Sequence, residues 1–152
     1  MRPAQAVDAA DLIAVLLETF ESTWLPNITA SAADDFRREA RAATYVGASG
    51  LEFWVAEEAG RVVGLVHWQD DFVHALHVRP SHARRGIGRR LMDQAEAQIA
   101  NSGFPDARLE TDTFNLASQA FYGARGYREA GRYPDEQWNS GLTTILFVKS
   151  LG

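Results

Sequence analysis

The first part of the chain has the hydrophobic pattern of two helices. Apolar residues recur at helical spacing after Asp8, which suits a helix N-cap. A second helix is predicted over about 31–43, because Ser31 and the aspartates after it favour a helix start. The loop between them, 21–27, holds Trp24 beside a proline that interrupts helices. The apolar face of the first helix consists of Leu12, Ile13, Leu16, Leu17 and Phe20.

The middle of the chain has the apolar runs that are typical of strands. Residues 53–56 and 62–68 form two such runs, and a turn over 58–61 joins them as a hairpin. A third strand over 72–78 leads through Pro80 into a basic, glycine-containing segment.

Helices and strands alternate in the second half. A helix after the basic segment is predicted to end around 101–103, and Ile87, Leu91, Ala95 and Ile99 lie near one of its faces. A strand over 108–111, a short helix from 115 to about 125 and a final strand over 142–148 follow. Helices mixed with strands on this scale predict a single α/β domain over residues 1–152, built around a mixed sheet.

The composition narrows the class of protein. Hydrophobic residues make up 46% and charged residues 23% of the chain, as in ordinary globular proteins. The net charge of −5 argues against a nucleic-acid binder, which usually carries a basic surface. The sequence has no cysteine, and its longest apolar run, 12–17, is too short to span a bilayer. We therefore expect a cytoplasmic protein that binds no nucleic acid, membrane or metal.

The segment after the third strand predicts an anion site. A basic, glycine-punctuated loop opens directly into a helix, so backbone N–H groups are exposed at the positive end of that helix. Five arginines fall within twelve residues of an otherwise acidic protein: Arg79, Arg84, Arg85, Arg89 and Arg90.

Two well-known glycine motifs do not fit this loop. A dinucleotide-binding fingerprint needs a third small residue where Leu91 stands. A P-loop needs Gly-Lys followed by Ser or Thr, and no such triplet occurs in the sequence.

The loop instead resembles the acetyl-coenzyme A pyrophosphate loop of the GNAT superfamily of N-acetyltransferases, written Gln/Arg-x-x-Gly-x-Gly/Ala. Glycines let the backbone approach the diphosphate, and the helix dipole assists. Ala83 stands where the family has Gln or Arg, so a side-chain contact from that position is missing. The residues that the resemblance assigns to the cofactor here are Arg84, Arg85, Gly86, Ile87, Gly88 and Arg89.

A second pattern lies in the short helix. Asn115, Ser118, Gln119 and Tyr122 follow the spacing i, i+3, i+4 and i+7, so they share one helical face. A structural interpretation is an N-capping Asn with a half-buried Tyr. The segment 115–127 also resembles the later GNAT motif, in which an Asn, an Ala and a Tyr precede Gly-Phe or Gly-Tyr.

The resemblance implies a fold and a division of roles. The expected GNAT fold is a mixed, mostly antiparallel sheet of six to seven strands with helices on both faces. Asn115 and Ser118 would hold the pantetheine arm, and the Tyr122 phenol would protonate the departing thiolate. The strand backbone would pair with pantetheine, and one of its N–H groups could polarise the thioester carbonyl. These backbone positions are Leu76, His77 and Val78.

An amine acceptor must lose a proton before it attacks, since a lysine-like amine has a pKa of about 10.4. Glu110 is the first candidate for the base, because 109–111 resembles the Leu-Glu-Val strand of ribosomal-protein alanine N-acetyltransferases. His74, His77 and a water relay are the alternatives. Tyr133, which a proline follows as in that subgroup, and Trp24 are candidates for the acceptor pocket.

These observations predict direct transfer of acetyl from acetyl-coenzyme A to a primary amine through a ternary complex. No cysteine is present to carry an acyl group on sulfur. The alternatives are an inactive acyl-coenzyme A-binding regulatory module, another acyl group and an O-linked acceptor. The identity of the amine, whether on a small molecule, a peptide or a protein, stays open, as does the choice between monomer and homodimer.

Overall fold

The computed structural model describes residues 1–19, 38–113, 115–134 and 143–152. Within these ranges it has four α-helices, which are α1 (Ala9–Thr19), α2 (Arg38–Ser49), α3 (Ile87–Asn101) and α4 (Leu116–Ala124). The strands are β1 (Arg2–Pro3), β2 (Trp54–Glu58), β3 (Arg61–Gln69), β4 (Phe72–Val78), β5 (Asp106–Asp112), β6 (Arg128–Pro134) and β7 (Thr143–Ser150).

These seven strands form one sheet in the order β1-β2-β3-β4-β5-β7-β6. Every neighbouring pair is antiparallel except β4 and β5, which are parallel and are connected through α3. The predicted α/β class and the mixed, mostly antiparallel sheet are confirmed.

Helices cover both faces of the sheet and bury two hydrophobic cores. On one face α1 and α2 pack against β2, β3 and β4, while α3 and α4 contribute to the core on the other face. The first core includes Leu12, Val15, Val46, Phe53 and Leu65, and the second includes Val66, Leu91, Ile99, Leu109 and Tyr122.

A β-bulge in β4 opens the sheet between its parallel strands. His67 pairs with Ala75 and the next residue of β3 pairs with Val73, so His74 is the extra residue. The bulge changes the alternation of side chains, because Val73 lies in the core beside α3 whereas Ala75 lies in the core beside α1. β4 and β5 pair only at Phe72–Arg108 and Val73–Leu109. The two strands therefore separate where the bulge begins.

An ion pair holds the strands together just before they separate. Arg108 donates two hydrogen bonds of 2.9 Å to the Asp71 carboxylate, and its backbone N–H donates to the Asp71 carbonyl at 2.8 Å. The Arg108 guanidinium also lies 5.4 Å from the centre of the Phe72 ring. The guanidinium keeps the pKa of Asp71 below its ordinary value.

Several predicted boundaries are wrong. The second helix continues past residue 43 to Ser49, because Val46 extends its buried face into the first core. β5 begins at Asp106 rather than at residue 108. The predicted start of the second helix, Phe20 and the first residue of the predicted final strand lie outside the described residues. No described helix is long and apolar enough to cross a bilayer.

Two strands were not predicted from the hydrophobic pattern. β1 has only two residues, too few for any periodicity to be visible. β6 pairs with β7 alone at the edge of the sheet, and six of its seven residues are exposed, so it has no buried face to show in the sequence.

Gly64 allows α3 to pack closely on β3. A Cβ atom at this position would lie 3.1 Å from side-chain atoms of both Ile87 and Leu91 and 3.2 Å from the His77 carbonyl oxygen. The carbonyl belongs to a paired strand and cannot retreat as a side chain can. The missing side chain of Gly64 thus sets the distance between β3 and the start of α3.

We expect Gly64→Ala to lower the free energy of unfolding by about 1–3 kcal/mol, the usual cost of overpacking a core. Gly47→Ala is the matched control, since Gly47 lies on the exposed side of α2 with no atom within 4 Å of an added Cβ. Gly47→Ala should raise the free energy of unfolding by about 0.5–1 kcal/mol, because alanine has a higher helix propensity than glycine. Urea unfolding measures both, and effects of equal sign would contradict this account.

Candidate active site

The basic loop wraps the start of α3. Arg84 (φ 65°) and Gly86 (φ 78°) both adopt left-handed backbone conformations, which bend the chain sharply into the helix. Gly86 is the N-cap, and its carbonyl oxygen accepts a hydrogen bond of 3.1 Å from the N–H of Arg90. The N–H groups of the first helical residues, among them Ile87 and Gly88, precede the first intrahelical donor and point out of the helix end. The loop thus has the geometry of an anion site.

Three elements converge at Gly88. A Cβ atom here would lie 3.7 Å from Cζ of Phe121 in α4 and 3.8 Å from Cγ2 of Val78 at the end of β4. The loop, the end of the bulged strand and the second motif, which are separated by up to 43 positions in the sequence (78 to 121), therefore meet at one point of the fold. This convergence includes Val78, which lies in the part of β4 that no longer pairs with β5.

The basic surface of the loop is smaller than the count of arginines suggests. Arg79 is directed inward, where Nε donates to the Val62 carbonyl at 2.8 Å and the guanidinium pairs with Glu18 and Asp11 of α1. The other four arginines of the segment are exposed. One of them, Arg85, forms an ion pair of 3.2 Å with Glu58 of the β2–β3 hairpin.

The polar face of α4 ties that helix to β5. Asn115 is the N-cap, and its Oδ1 accepts a hydrogen bond of 3.0 Å from the N–H of Ser118. The Thr111 hydroxyl donates to the Ser118 hydroxyl at 3.0 Å. Gln119 donates to two carbonyls at the end of β5, at 3.1 and 3.0 Å. The capping role of Asn115 is confirmed, and part of the polar stripe is structural.

Tyr122 has no structural role of this kind. Its side chain is 8% exposed and lies in the second core, with T-shaped contacts to the rings of Phe121 and Tyr127. Its hydroxyl makes no hydrogen bond to any of the described residues. Burial raises the pKa of the phenol above its ordinary value, so Tyr122 is a neutral acid at pH 7.

Glu110 points away from the face of the sheet that holds Tyr122. Leu109 and Thr111 contact the second core and α4, so the alternation along β5 turns Glu110 to the opposite face, where it is exposed. Tyr133 pairs with Thr144, which pairs with Asp112, so these three share a row on the same face as Glu110. Trp24 lies outside the described residues.

The two histidines of β4 differ in their surroundings. His74, the bulge residue, is exposed and stacks on His67 with ring centres 5.2 Å apart. In turn, His67 Nδ1 lies 2.5 Å from the Tyr45 hydroxyl. Partial desolvation lowers the pKa of His74, and burial lowers that of His77 to about 4. His77 is therefore a weak base for an ammonium group, and the exposed His74 is the alternative that solvent reaches.

Sequence reasoning missed a buried carboxylate on α3. Glu96 contacts Arg125 and Tyr127 at the end of α4 and Lys149 on β7. The signal was present, since Glu96 falls among Met92, Ala95 and Ile99 on the apolar face of an amphipathic helix. A charged residue in that position is buried only when it is paired.

The known proteins that this chain resembles in sequence are acetyltransferases. A family model described as the acetyltransferase (GNAT) family matches residues 13–127. A blasticidin-S acetyltransferase of Streptomyces morookaense is 37% identical over 95 residues, which cover 62% of this chain and 68% of that protein. N-acetyltransferase 8B of Rattus norvegicus is 30% identical over 118 residues, 70% of this chain. The match spans only about half, 52%, of that relative's length.

Solved structures agree on the fold. The PaiA N-acetyltransferase of Thermoplasma acidophilum, crystallised in complex with coenzyme A, superposes with a TM-score of 0.76. The alignment covers 98% of this chain and 96% of that one at 17% sequence identity. At this level of identity the likeness is one of fold.

We expect the stability of the protein to fall as the pH decreases from about 6.5 to about 4. The pKa of His77 is about 4 in the folded protein, against about 6.5 in an unfolded chain. Between these values the unfolded chain binds a proton that the folded protein does not, so acid favours unfolding. Urea unfolding at pH 7 and pH 4.5 should show a smaller loss for His77→Gln than for the wild type. An equal loss in both proteins would contradict the assignment.

Proposed function

This chain belongs to the GNAT family of acetyltransferases, and on that premise we propose that it transfers acetyl from acetyl-coenzyme A directly to a primary amine. The observation that carries the proposal is the convergence at Gly88 of the anion-binding loop, the end of β4 and the helix of Tyr122. The opening between β4 and β5 leaves the backbone of β4 accessible to an extended substrate arm at the same point.

The donor would lie along these three elements. The pyrophosphate would take hydrogen bonds from the loop and the first turn of α3, the region of Arg84–Arg89, and positive charge is supplied by the exposed arginines. Pantetheine would pair with the backbone of Leu76, His77 and Val78 as an added strand. The α4 residues facing it would be Asn115, whose amide nitrogen is not used by the cap, and Ser118.

The proposed reaction uses an acid and a base that lie on opposite faces of the sheet. The amine nitrogen attacks the thioester carbonyl carbon, a strand N–H stabilises the oxyanion, and the carbon–sulfur bond breaks as the carbonyl re-forms. Glu110, on the face opposite to Tyr122, would take the proton of the ammonium group directly or through water. The buried phenol of Tyr122 would give its proton to the leaving thiolate, and the second proton that the nitrogen loses as the amide forms would restore the phenol, directly or through water. Acid and base thus act from opposite sides of the acetyl group.

The acceptors to test are chosen from the relatives and from the resemblance of the strand around Glu110. The relative from Streptomyces morookaense is named for blasticidin S, which makes this compound the first acceptor to test. Tyr133 and Trp24 are proposed to line the acceptor pocket. Short peptides with an N-terminal alanine and simple polyamines complete the panel, because the strand around Glu110 resembles that of the ribosomal-protein alanine N-acetyltransferases.

We expect thiol release from acetyl-coenzyme A in the presence of an acceptor, and we expect Tyr122→Phe to lower kcat by about 100-fold. The affinity for acetyl-coenzyme A, measured by calorimetry, should change by less than about threefold, because the ring still packs in the core. Tight binding without thiol release across the whole panel would favour the inactive regulatory module. An unchanged kcat in Tyr122→Phe would remove Tyr122 from the acid role.

The base is identified by comparing two variants under the same conditions. Glu110→Gln should lower kcat/KM for the amine by about 100-fold at pH 7 and abolish the acidic limb of the pH profile. His74→Gln should change kcat/KM by less than about threefold. The reverse order would assign the base to His74, and two small effects would favour a water relay.

A further inference from the structure

A buried cluster of charges joins the two halves of the proposed cofactor site. The Glu96 carboxylate accepts hydrogen bonds from Nε of Arg125 at 3.1 Å, from the Tyr127 hydroxyl at 3.0 Å and from Lys149 Nζ at 2.6 Å. Nη2 of Arg125 also forms an ion pair with it at 2.9 Å. The side chains of Glu96 and Arg125 are each only 10% exposed. A second carboxylate, Asp93, contacts the same guanidinium at 2.9 Å but is 63% exposed.

The cluster is balanced in charge, and its buried carboxylate has a donor for each oxygen. Two carboxylates face one guanidinium and one ammonium group, and both oxygens of Glu96 have donors. A buried carboxylate is tolerated only with such partners, because its desolvation is costly. Removing the charge of Glu96 would therefore leave Arg125 in a partly buried position with only the exposed Asp93.

Its position in the fold connects the loop to the proposed acid. Glu96 lies on the helix that begins at the anion loop, and Arg125 follows Tyr122 by three residues at the end of α4. Arg125 also donates to the Arg89 carbonyl at 3.4 Å, and its guanidinium lies 5.9 Å from the centre of the Phe121 ring.

The same charges act on the phenol of Tyr122. The positive charge of Arg125 lowers the pKa of Tyr122 and the negative charge of Glu96 raises it. Tyr127, which is hydrogen-bonded to Glu96, also contacts the Tyr122 ring edge to face at 5.6 Å. The acid and the cluster are thus neighbours in both packing and electrostatics.

We propose that Glu96 is a positioning residue, whose ion pair with Arg125 holds Tyr122 in place relative to the loop that binds the donor. This inference rests on the proposed function and adds to it a determinant outside the two sequence motifs. Glu96 contacts neither substrate in this account, so it acts through Arg125 and Tyr127.

The test compares Glu96→Gln with Asp93→Asn in the full chain, with folding checked by thermal denaturation. Glu96→Gln should lower kcat by about tenfold and change the affinity for acetyl-coenzyme A by less than about threefold. The alkaline limb of its kcat profile should move to lower pH, because Arg125 then acts on the Tyr122 phenol without the opposing charge. Asp93→Asn should stay within about twofold of the wild type with its alkaline limb in place.

A second variant separates geometry from charge. Arg125→Lys keeps the positive charge but cannot reach Glu96 through two nitrogens, as Nε and Nη2 of the guanidinium do. We therefore expect kcat to fall about tenfold while the alkaline limb stays within about half a pH unit. If Glu96→Gln does not fold, a folded Arg125→Lys with wild-type kcat overturns the inference.

The outcomes also separate this inference from the proposed function. Wild-type kcat and an unmoved alkaline limb in Glu96→Gln, together with an impaired Tyr122→Phe, would overturn only the role of Glu96. Absence of thiol release by the wild-type protein across the acceptor panel would instead overturn the proposed function. Equal losses in Glu96→Gln and Asp93→Asn would also overturn the role of Glu96, because the effect would then not depend on the buried carboxylate.

Discussion

The geometry of the site depends on how far two parallel strands can pair. β4 and β5 share two residue pairs and then separate, because the bulge at His74 bends β4. The Asp71–Arg108 ion pair closes the sheet on one side of this point, and α3 and α4 occupy the face on the other. The three elements of the proposed cofactor site, which meet at Gly88, lie at the end of β4 that β5 does not pair with.

The rest of the fold fixes the relative positions of three segments that are distant in the sequence. Gly64 sets the depth of α3 on the sheet, and the hydrogen bond from Thr111 to Ser118 sets the position of α4 over β5. The Glu96 cluster then joins α3 to the end of α4. Each contact connects a different pair of elements, so the site is supported from the sheet, from the helix pair and from the buried charges together.

The sequence predicted what repeats or follows a local rule. The amphipathic helices, the hairpin and the anion loop were visible because periodicity and turn chemistry are local, and the resemblance supplied the sheet and the roles. The bulge at His74, the inward turn of Arg79 and the partners of Glu96 depend on residues that are distant in the sequence. Glu18 is 61 positions from Arg79, and Lys149 is 53 positions from Glu96. The edge strand β6 has no buried face, so its sequence lacks the apolar alternation that would have predicted a strand.

The inward turn of Arg79 connects the first helix to the proposed donor site. Its guanidinium forms ion pairs with Glu18 and Asp11 of α1. These ion pairs connect the end of β4, the strand with the backbone of Leu76 to Val78, to a helix near the start of the sequence. The position of the end of β4 thus depends on α1. We therefore expect that substitution of Glu18 or Asp11 disturbs the proposed donor site through Arg79 and β4, even though no residue of that helix belongs to either motif.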